Sequence, residues 1–378
     1  MHQLICGRRL HARQVYATYV YIPLSERLER LTRWLDRTND RPLLGFTLGS
    51  YYPLHRYPDG SRRLPQGAVT PEDVVVADYL DDTDRLFREH EEAGGDYVFS
   101  AAPFLGLPWI EASLGCGVEA DHTAGSTRSL PPTEFARNPK VPSFSAENPW
   151  VAKMLEFVPA LEARSVGRYP VGVTLMRGIA DLLSALYGSE NFVLRMYDDP
   201  QEVHAVVAQL TEYWIAFGRC LLDHLPSFHG GTGSFSYGLW CPGQMIWLQE
   251  DASALLSPAL YEEFIYPADC RIAAAFDHVV MHLHPTRLIP SRQLVETKLA
   301  AIELHIDNHG PSAAALEAHY RTVLERKPLI VWGDLTWADV EFVFTRLPRE
   351  GLAVNVVVGS AAEARELWER VARLGGTK

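Results

Sequence analysis

Short apolar runs rich in β-branched residues alternate with stretches of helical periodicity along most of this chain. PLLGFTLGS (42–50), DYVFSAAP (96–103), YPVGVTL (169–175) and the glycine-flanked GGTGSFSYGLWCPG (230–243) read as strands in the first two thirds. HVVMHLHPTR (278–287), LAAIELHID (299–307), KPLIVWGDL (327–335) and LAVNVVVGS (352–360) continue the series. Helices are predicted between them. In SERLERLTRWLDR, Leu28, Leu31, Trp34 and Leu35 fall at helical spacing, and DDTDRLFREHEEAGG is a charged helix stopped by Gly94 and Gly95. Asp199, Pro200 and Glu202 form a capping pattern that opens PQEVHAVVAQLTEYWIAFGRCLLDHL. RGIADLLSALYG, SAAALEAHYRTVLER and a last segment opened by Ser360 and Glu363 complete the alternation. About eight strands with intervening helices is the count of a closed parallel barrel. The expected architecture is α/β: a single TIM (β/α)8 barrel over 41–378, an N-terminal helical extension over 1–40, and a long pocket-forming insertion. A doubly wound open sheet is the competing topology.

In such a barrel the residues that end the strands share one mouth. His282 and His284 are two residues apart on one strand, so they face the same way, and Pro285 stops the strand just beyond them. With a carboxylate from the next strand, Glu303 or Asp307, they could hold Zn²⁺ through neutral imidazole nitrogens and leave a position open for substrate. Without metal, the same histidines would hydrogen-bond substrate or neighbouring loops. Glu303 and Asp307 could equally be partners of the histidines, a general base, or surface polarity. Asp334 either orients a substrate or caps the helix beginning in DLTWADV. Residues 103–150, rich in Pro, Gly and aromatics, show no clear periodicity and read as a pocket wall. Phe104 at the end of the second strand, with Trp109, Phe235, Tyr237 and Trp240, are candidates to line a pocket, with core packing as the alternative. Arg177 could bind an anion or sit in a structural ion pair. Cys116 and Cys241 lie in glycine-containing loops, as thiolate ligands or as small buried apolar residues.

Composition narrows the partners. The chain has 378 residues, 47% of them hydrophobic, enough for a large core. Lys and Arg number 35 against 47 Asp and Glu, a net charge of −12 that argues against nucleic acid as a partner. Five scattered cysteines, no charged-then-apolar leader and no long apolar run fit a reduced, cytoplasmic protein that does not enter a membrane.

The runs SYGLWCPGQMIWLQEDASALLSPALYEEFIYP, HVVMHLHPTRLI, KPLIVWGDL and VVVGSAAEARELWERV resemble the uroporphyrinogen decarboxylase superfamily. GVTLMRGIADLLSALYGSENFVLRMYDDPQEVH and LPWIEASLGCGVEA fit it too, so the likeness covers residues 40–375. That superfamily also holds the corrinoid and coenzyme M methyltransferases and is similar to cobalamin-independent methionine synthase. The resemblance implies a TIM barrel, a small-molecule substrate and a homodimer. Decarboxylases of the superfamily carry an arginine-rich stretch that grips porphyrinogen carboxylates; PLLGFTLGSYYP keeps Gly49, Tyr51 and Pro53 but has Thr47 and Ser50 near the places of the arginines. The methyltransferases bind zinc with His-x-Cys and a later Cys. Here His282 matches the histidine, His284 replaces the cysteine, and VVVGSAAEA offers no late cysteine. Imidazoles in place of thiolates leave more positive charge on a zinc ion, favouring activation of a hydroxyl or water. The resemblance therefore leads to a methyltransferase-like enzyme that activates a small acceptor, with a methylated corrinoid protein as donor. The alternatives are a decarboxylase-like lyase on a smaller or less acidic substrate, with the histidines and Asp334 transferring protons, and a non-catalytic barrel that binds a tetrapyrrole or a corrinoid protein.

Overall fold

The computed structural model describes residues 22–234 and 238–374, so the readings that fall on Phe235 and Tyr237 lie outside the described residues. Six parallel strands form the central sheet: β1 (Leu43–Leu48), β2 (Met245–Gln249), β3 (His278–Leu283), β4 (Ala301–Ile306), β5 (Leu329–Gly333) and β6 (Leu352–Val358). Their spatial order is β1-β6-β5-β4-β3-β2, so the first strand lies beside the last. Both faces of these strands are covered, which explains their near-continuous apolar runs. Val279, Val280 and Met281 in β3 are fully buried, each worth about 1.5–3 kcal/mol relative to exposure.

The parallel register builds two rows across the sheet. Gln249, His282 and Glu303 stand side by side on β2, β3 and β4. His305, Trp332 and Asn355 stand side by side on β4, β5 and β6. A one-residue slip in any of these strands would turn its polar residues to the opposite face.

Four of the six strands coincide with predicted runs in the second half of the chain, and β1 with the first. The run at 230–243 behaves differently. Gly231–Gly233 pairs antiparallel with Trp240–Pro242, and the strand that joins β3 in the sheet is the following Met245–Gln249. Gly231 makes the hairpin possible, since a Cβ there would lie 2.1 Å from the Cys241 carbonyl oxygen. The runs at 96–103 and 169–175 contribute only isolated parallel bridges, Ala101 to Val171, Val173 to Ser234 and, just beyond, Arg177 to Gln249. Backbone hydrogen bonds such as Gly172 to Ala101 at 2.7 Å and Asp96 to Leu44 at 2.8 Å accompany them, and polar side-chain ties add to these. Asp96 takes a two-pronged ion pair from Arg41 at 2.6 and 2.7 Å and a hydrogen bond from the Leu44 amide at 2.9 Å. Burial opposes the charge on Asp96, but Arg41 outweighs it and holds the carboxyl below the usual range.

The insertion is more regular than its composition suggests. It contains the helix Trp109–Ser113 and two strands, Gly117–Asp121 and Ser126–Leu130, which join Gly67–Val69 in an antiparallel sheet. Leu24–Leu35 forms the first helix and packs on the body through Trp34, whose indole donates to the Gly351 carbonyl at 2.9 Å. Asp199 caps Pro200–His224 by accepting from the Glu202 amide. None of the described helices is long and apolar enough to cross a membrane.

Candidate metal centre

The C-terminal ends of β2, β3 and β4 converge on three imidazoles. His282 is the penultimate residue of β3 and His284 follows its end, with ring centres 4.8 Å apart. His305, in β4, faces His284 at 4.5 Å and packs on Trp332 at 4.4 Å. Three carboxylates interleave with them: Glu303 in β4, Asp307 just beyond it, and Asp251 two residues past β2.

Each carboxylate has a distinct position. His282 Nδ1 is hydrogen-bonded to the fully buried Glu303, and His284 Nδ1 lies 2.8 Å from Asp307 Oδ2. A carboxylate on Nδ1 places the proton there, which turns each Nε2 into a potential ligand atom. Both Nε2 atoms face the same oxygen, Asp251 Oδ1, at 3.4 Å for His282 and 3.8 Å for His284. Gln249 donates to the other oxygen, Asp251 Oδ2. Asp251 Oδ1 itself is shielded from solvent and accepts no hydrogen bond. A buried carboxylate oxygen aimed at two imidazole nitrogens without a hydrogen bond of its own is the environment a divalent cation satisfies. The three ligand atoms lie within 4.8 Å of one another, so the residues fit a two-histidine, one-carboxylate metal site. Glu303 and Asp307 then orient the histidines from behind. Other groupings of the same side chains, His282 with Glu303 and His305, or His284 with His305 and Asp307, also lie within that distance. Both would break the Nδ1 to carboxylate bonds, so the Asp251 grouping is the one the hydrogen bonding favours.

The electrostatics follow from burial. Burial alone would discharge His282, but the Glu303 carboxylate against it reverses the effect and lifts the imidazole to about 9, so its Nε2 proton must leave before that nitrogen can hold a cation. Burial raises Glu303 in turn, against the pull of His282. His305 is held neutral by burial and then by the other two histidines, so it is an uncharged group at the mouth. A cavity of about 190 Å³ opens beside the cluster, lined among others by Tyr51, Arg56, Leu105, Leu175, Trp332 and the three histidines. The Tyr51 hydroxyl donates to Asp334 Oδ2 at 3.2 Å, which ties Asp334 to this mouth. The cap of the next helix is Thr336 with Asp339, not Asp334.

The remaining candidates sit elsewhere. Phe104 is buried against Tyr57 and Tyr79, and Trp109 is buried against Trp150 and Phe157 with its indole donating to the Phe104 carbonyl at 2.9 Å. Trp240 donates to Phe228 from within the glycine hairpin. Arg177 is ion-paired to Glu111 at 2.8 Å and lines a separate, more open groove that also reaches Asp251. Burial pushes the Cys116 and Cys241 thiols up to about 12, and neither belongs to a metal-ligating group among the described residues.

Two participants escaped the sequence reading. His305 lies in the alternation Glu303, His305, Asp307, a period-two signal for one strand face. Asp251 has no local signal, because its place depends on the pairing of β2 with β3.

No family model and no curated protein matches the chain. Among solved structures it is similar to a methyltransferase from Methanosarcina mazei, with a TM-score of 0.61 over 92% of this chain and 98% of that one. The two sequences are 13% identical, so the likeness is one of fold: an α/β, TIM-barrel-like arrangement whose parallel strands converge on the histidine cluster.

Proposed function

We propose that this chain is a metal-dependent, methyltransferase-like enzyme of the uroporphyrinogen decarboxylase superfamily, built on a closed TIM barrel, that activates a small nucleophilic acceptor. The isolated parallel bridges between the 96–103, 169–177 and 231–234 segments and β2 support closure, as does the adjacency of the first and last strands. The observation that carries the functional reading is Asp251 Oδ1, buried without a hydrogen bond and facing two Nε2 atoms whose Nδ1 partners are already carboxylates.

His282, His284 and Asp251 would hold a zinc-like cation, which when bound lowers the pKa of a hydroxyl or thiol placed on it. The chain's own residues do the rest. Glu303 and Asp307 keep the imidazoles in the required tautomer and orientation. Gln249 fixes Asp251 so that one oxygen faces the histidines. His305, neutral and adjacent to His284, is too weak a base to take the acceptor's proton and can only hydrogen-bond the bound acceptor. Trp332, Leu105 and Leu175 keep that side of the cavity apolar. A methylated corrinoid protein is the proposed donor, and its size requires access from outside the mouth. A homodimer accords with the superfamily likeness.

The test is metal content and its dependence on the triad. Protein purified without chelator is expected to carry about one equivalent of zinc per chain, lost in His282→Ala and Asp251→Ala, and to transfer a methyl group from methylcobalamin to thiol or alcohol acceptors. Zinc-free protein that cannot be loaded would sink the metal reading and leave the carboxy-lyase in its place.

A further inference from the structure

Arg56 is a cation at the histidine mouth without an anion of its own. It ends the short turn Pro53–Arg56 beyond β1 and lines the same cavity as His282, His284 and His305. One guanidinium nitrogen, Nη1, donates to the Leu48 carbonyl at 3.1 Å and reaches the Ser50 carbonyl at 3.5 Å. No carboxylate of the described residues pairs with it, although arginines elsewhere in the molecule are paired repeatedly. Glu89, whose charge acts on it, is engaged by Arg85 at 2.8 Å. The undescribed residues 1–21, 235–237 and 375–378 contain no Asp or Glu. Burial weakens the hold of Arg56 on its proton, and the nearby Glu89 charge only partly opposes it.

We propose that Arg56 anchors a single carboxylate of the substrate, and that the substrate is a small monocarboxylic acid bearing a hydroxyl or thiol at its other end. Nη1 is engaged by backbone carbonyls, which leaves Nη2 and Nε for a planar, two-pronged carboxylate. Arg56 is the sole Arg or Lys among the described residues lining the cavity, and Asp307 lines it too, so a dianion such as phosphate would be repelled where a monoanion is not. A cavity of about 190 Å³ suits a small ligand. Trp332, Leu105 and Leu175 supply apolar walls for the short chain between the two ends. The placement of the reacting end at His282, His284 and Asp251 rests on the metal reading above; the anchoring of the carboxylate does not.

The experiment is calorimetric titration of the full chain, metal-free and zinc-loaded, with propionate, 3-mercaptopropionate, its neutral counterpart 3-mercapto-1-propanol, and inorganic phosphate. Metal-free protein is expected to bind both acids and to bind the neutral thiol and phosphate at least about tenfold more weakly. Zinc should strengthen 3-mercaptopropionate but not propionate. Arg56→Gln should weaken both acids about tenfold or more while the zinc stoichiometry is retained, and Arg56→Lys should recover part of the loss. Equal binding of the acid and the neutral thiol by the wild-type protein would overturn the proposal without reference to any variant. So would unchanged propionate affinity in an Arg56→Gln protein with the wild-type unfolding midpoint, or phosphate binding tighter than propionate. Failure of the metal reading has a separate signature, acid binding intact with no zinc taken up.

Discussion

Glu250 and Asp251 are neighbours in the chain and carry the same functional group, yet they belong to two different clusters. Glu250 is fully buried and accepts hydrogen bonds from the Ile179 and Ala180 amides at 2.5 and 2.9 Å, capping the helix Ile179–Tyr187. It also meets Asp269, which in turn accepts from the Tyr261 hydroxyl at 2.7 Å. Asp251 turns the other way. Its Oδ1 accepts nothing and faces two imidazoles that are themselves braced by carboxylates. Both clusters are dense in titratable groups, so charge density does not separate structural from chemical sites here. The partners do: Glu250 bonds to backbone amides and meets another acid, whereas Asp251 Oδ1 faces two imidazole nitrogens, although Asp269 Oδ1 in the first cluster is also buried without a hydrogen bond.

The contrast is open to attack from both sides. The largest expected effect is on metal. Asp251→Ala or His282→Ala should cut zinc affinity by more than about a hundredfold, exceeding the roughly 10–100-fold that loss of a supporting carboxylate costs, as read by competition with a chromophoric chelator. Glu303→Gln, which leaves all three ligand atoms in place, should fall within that 10–100-fold range and should change the pH at which zinc is released. Zinc affinity unaltered in Asp251→Ala would assign Asp251 to the same structural role as Glu250. On the other side, Glu250→Gln should leave zinc affinity at the wild-type value and lower stability by about 1–2 kcal/mol, because one of the two helix amides loses its carboxyl oxygen acceptor.

The smallest effect is a pH slope. Burial lifts the Asp269 carboxyl from 3.8 to about 7, against the hydrogen bonds from Tyr261 and Glu250. A raised folded-state pKa means that the native protein holds a proton the unfolded chain releases, so the contribution is complete below pH about 4 and lost as pH rises through about 7. The urea midpoint of the metal-free protein should therefore decline across that window, opposite to the behaviour of a salt-bridged carboxylate. Asp269→Asn should flatten the decline. A midpoint that rises over the same window in the wild-type protein would show that Asp269 is ionised in the folded state.

Much of the architecture was legible because period carries it. The apolar runs at 279, 300, 328 and 353 are buried on both faces and became β3 to β6, and the capping signal at Asp199 lies where a helix begins, whereas the cap expected at Asp334 belongs to Thr336 and Asp339. The runs at 96–103 and 169–175 have strand composition and exchange backbone hydrogen bonds with each other and with Gly233, but form only single-residue bridges. Met245–Gln249 was hidden inside an aromatic stretch, because four apolar residues and a glutamine after a glycine turn carry no period of their own.

The sequence by itself determined that His282 and His284 share one side of their strand and that the period-two positions Glu303, His305 and Asp307 share one side of theirs, because alternation along a strand is a local property. What only the tertiary structure decided is the division of labour among the carboxylates. Register across β2, β3 and β4 put Glu303 and Asp307 behind the imidazoles, brought Asp251 in front of them from a strand thirty residues upstream, and left Arg56 facing the same cavity without a counter-ion. Hydrogen-bond direction is set by which atoms meet across strands, and no local pattern in one strand encodes that.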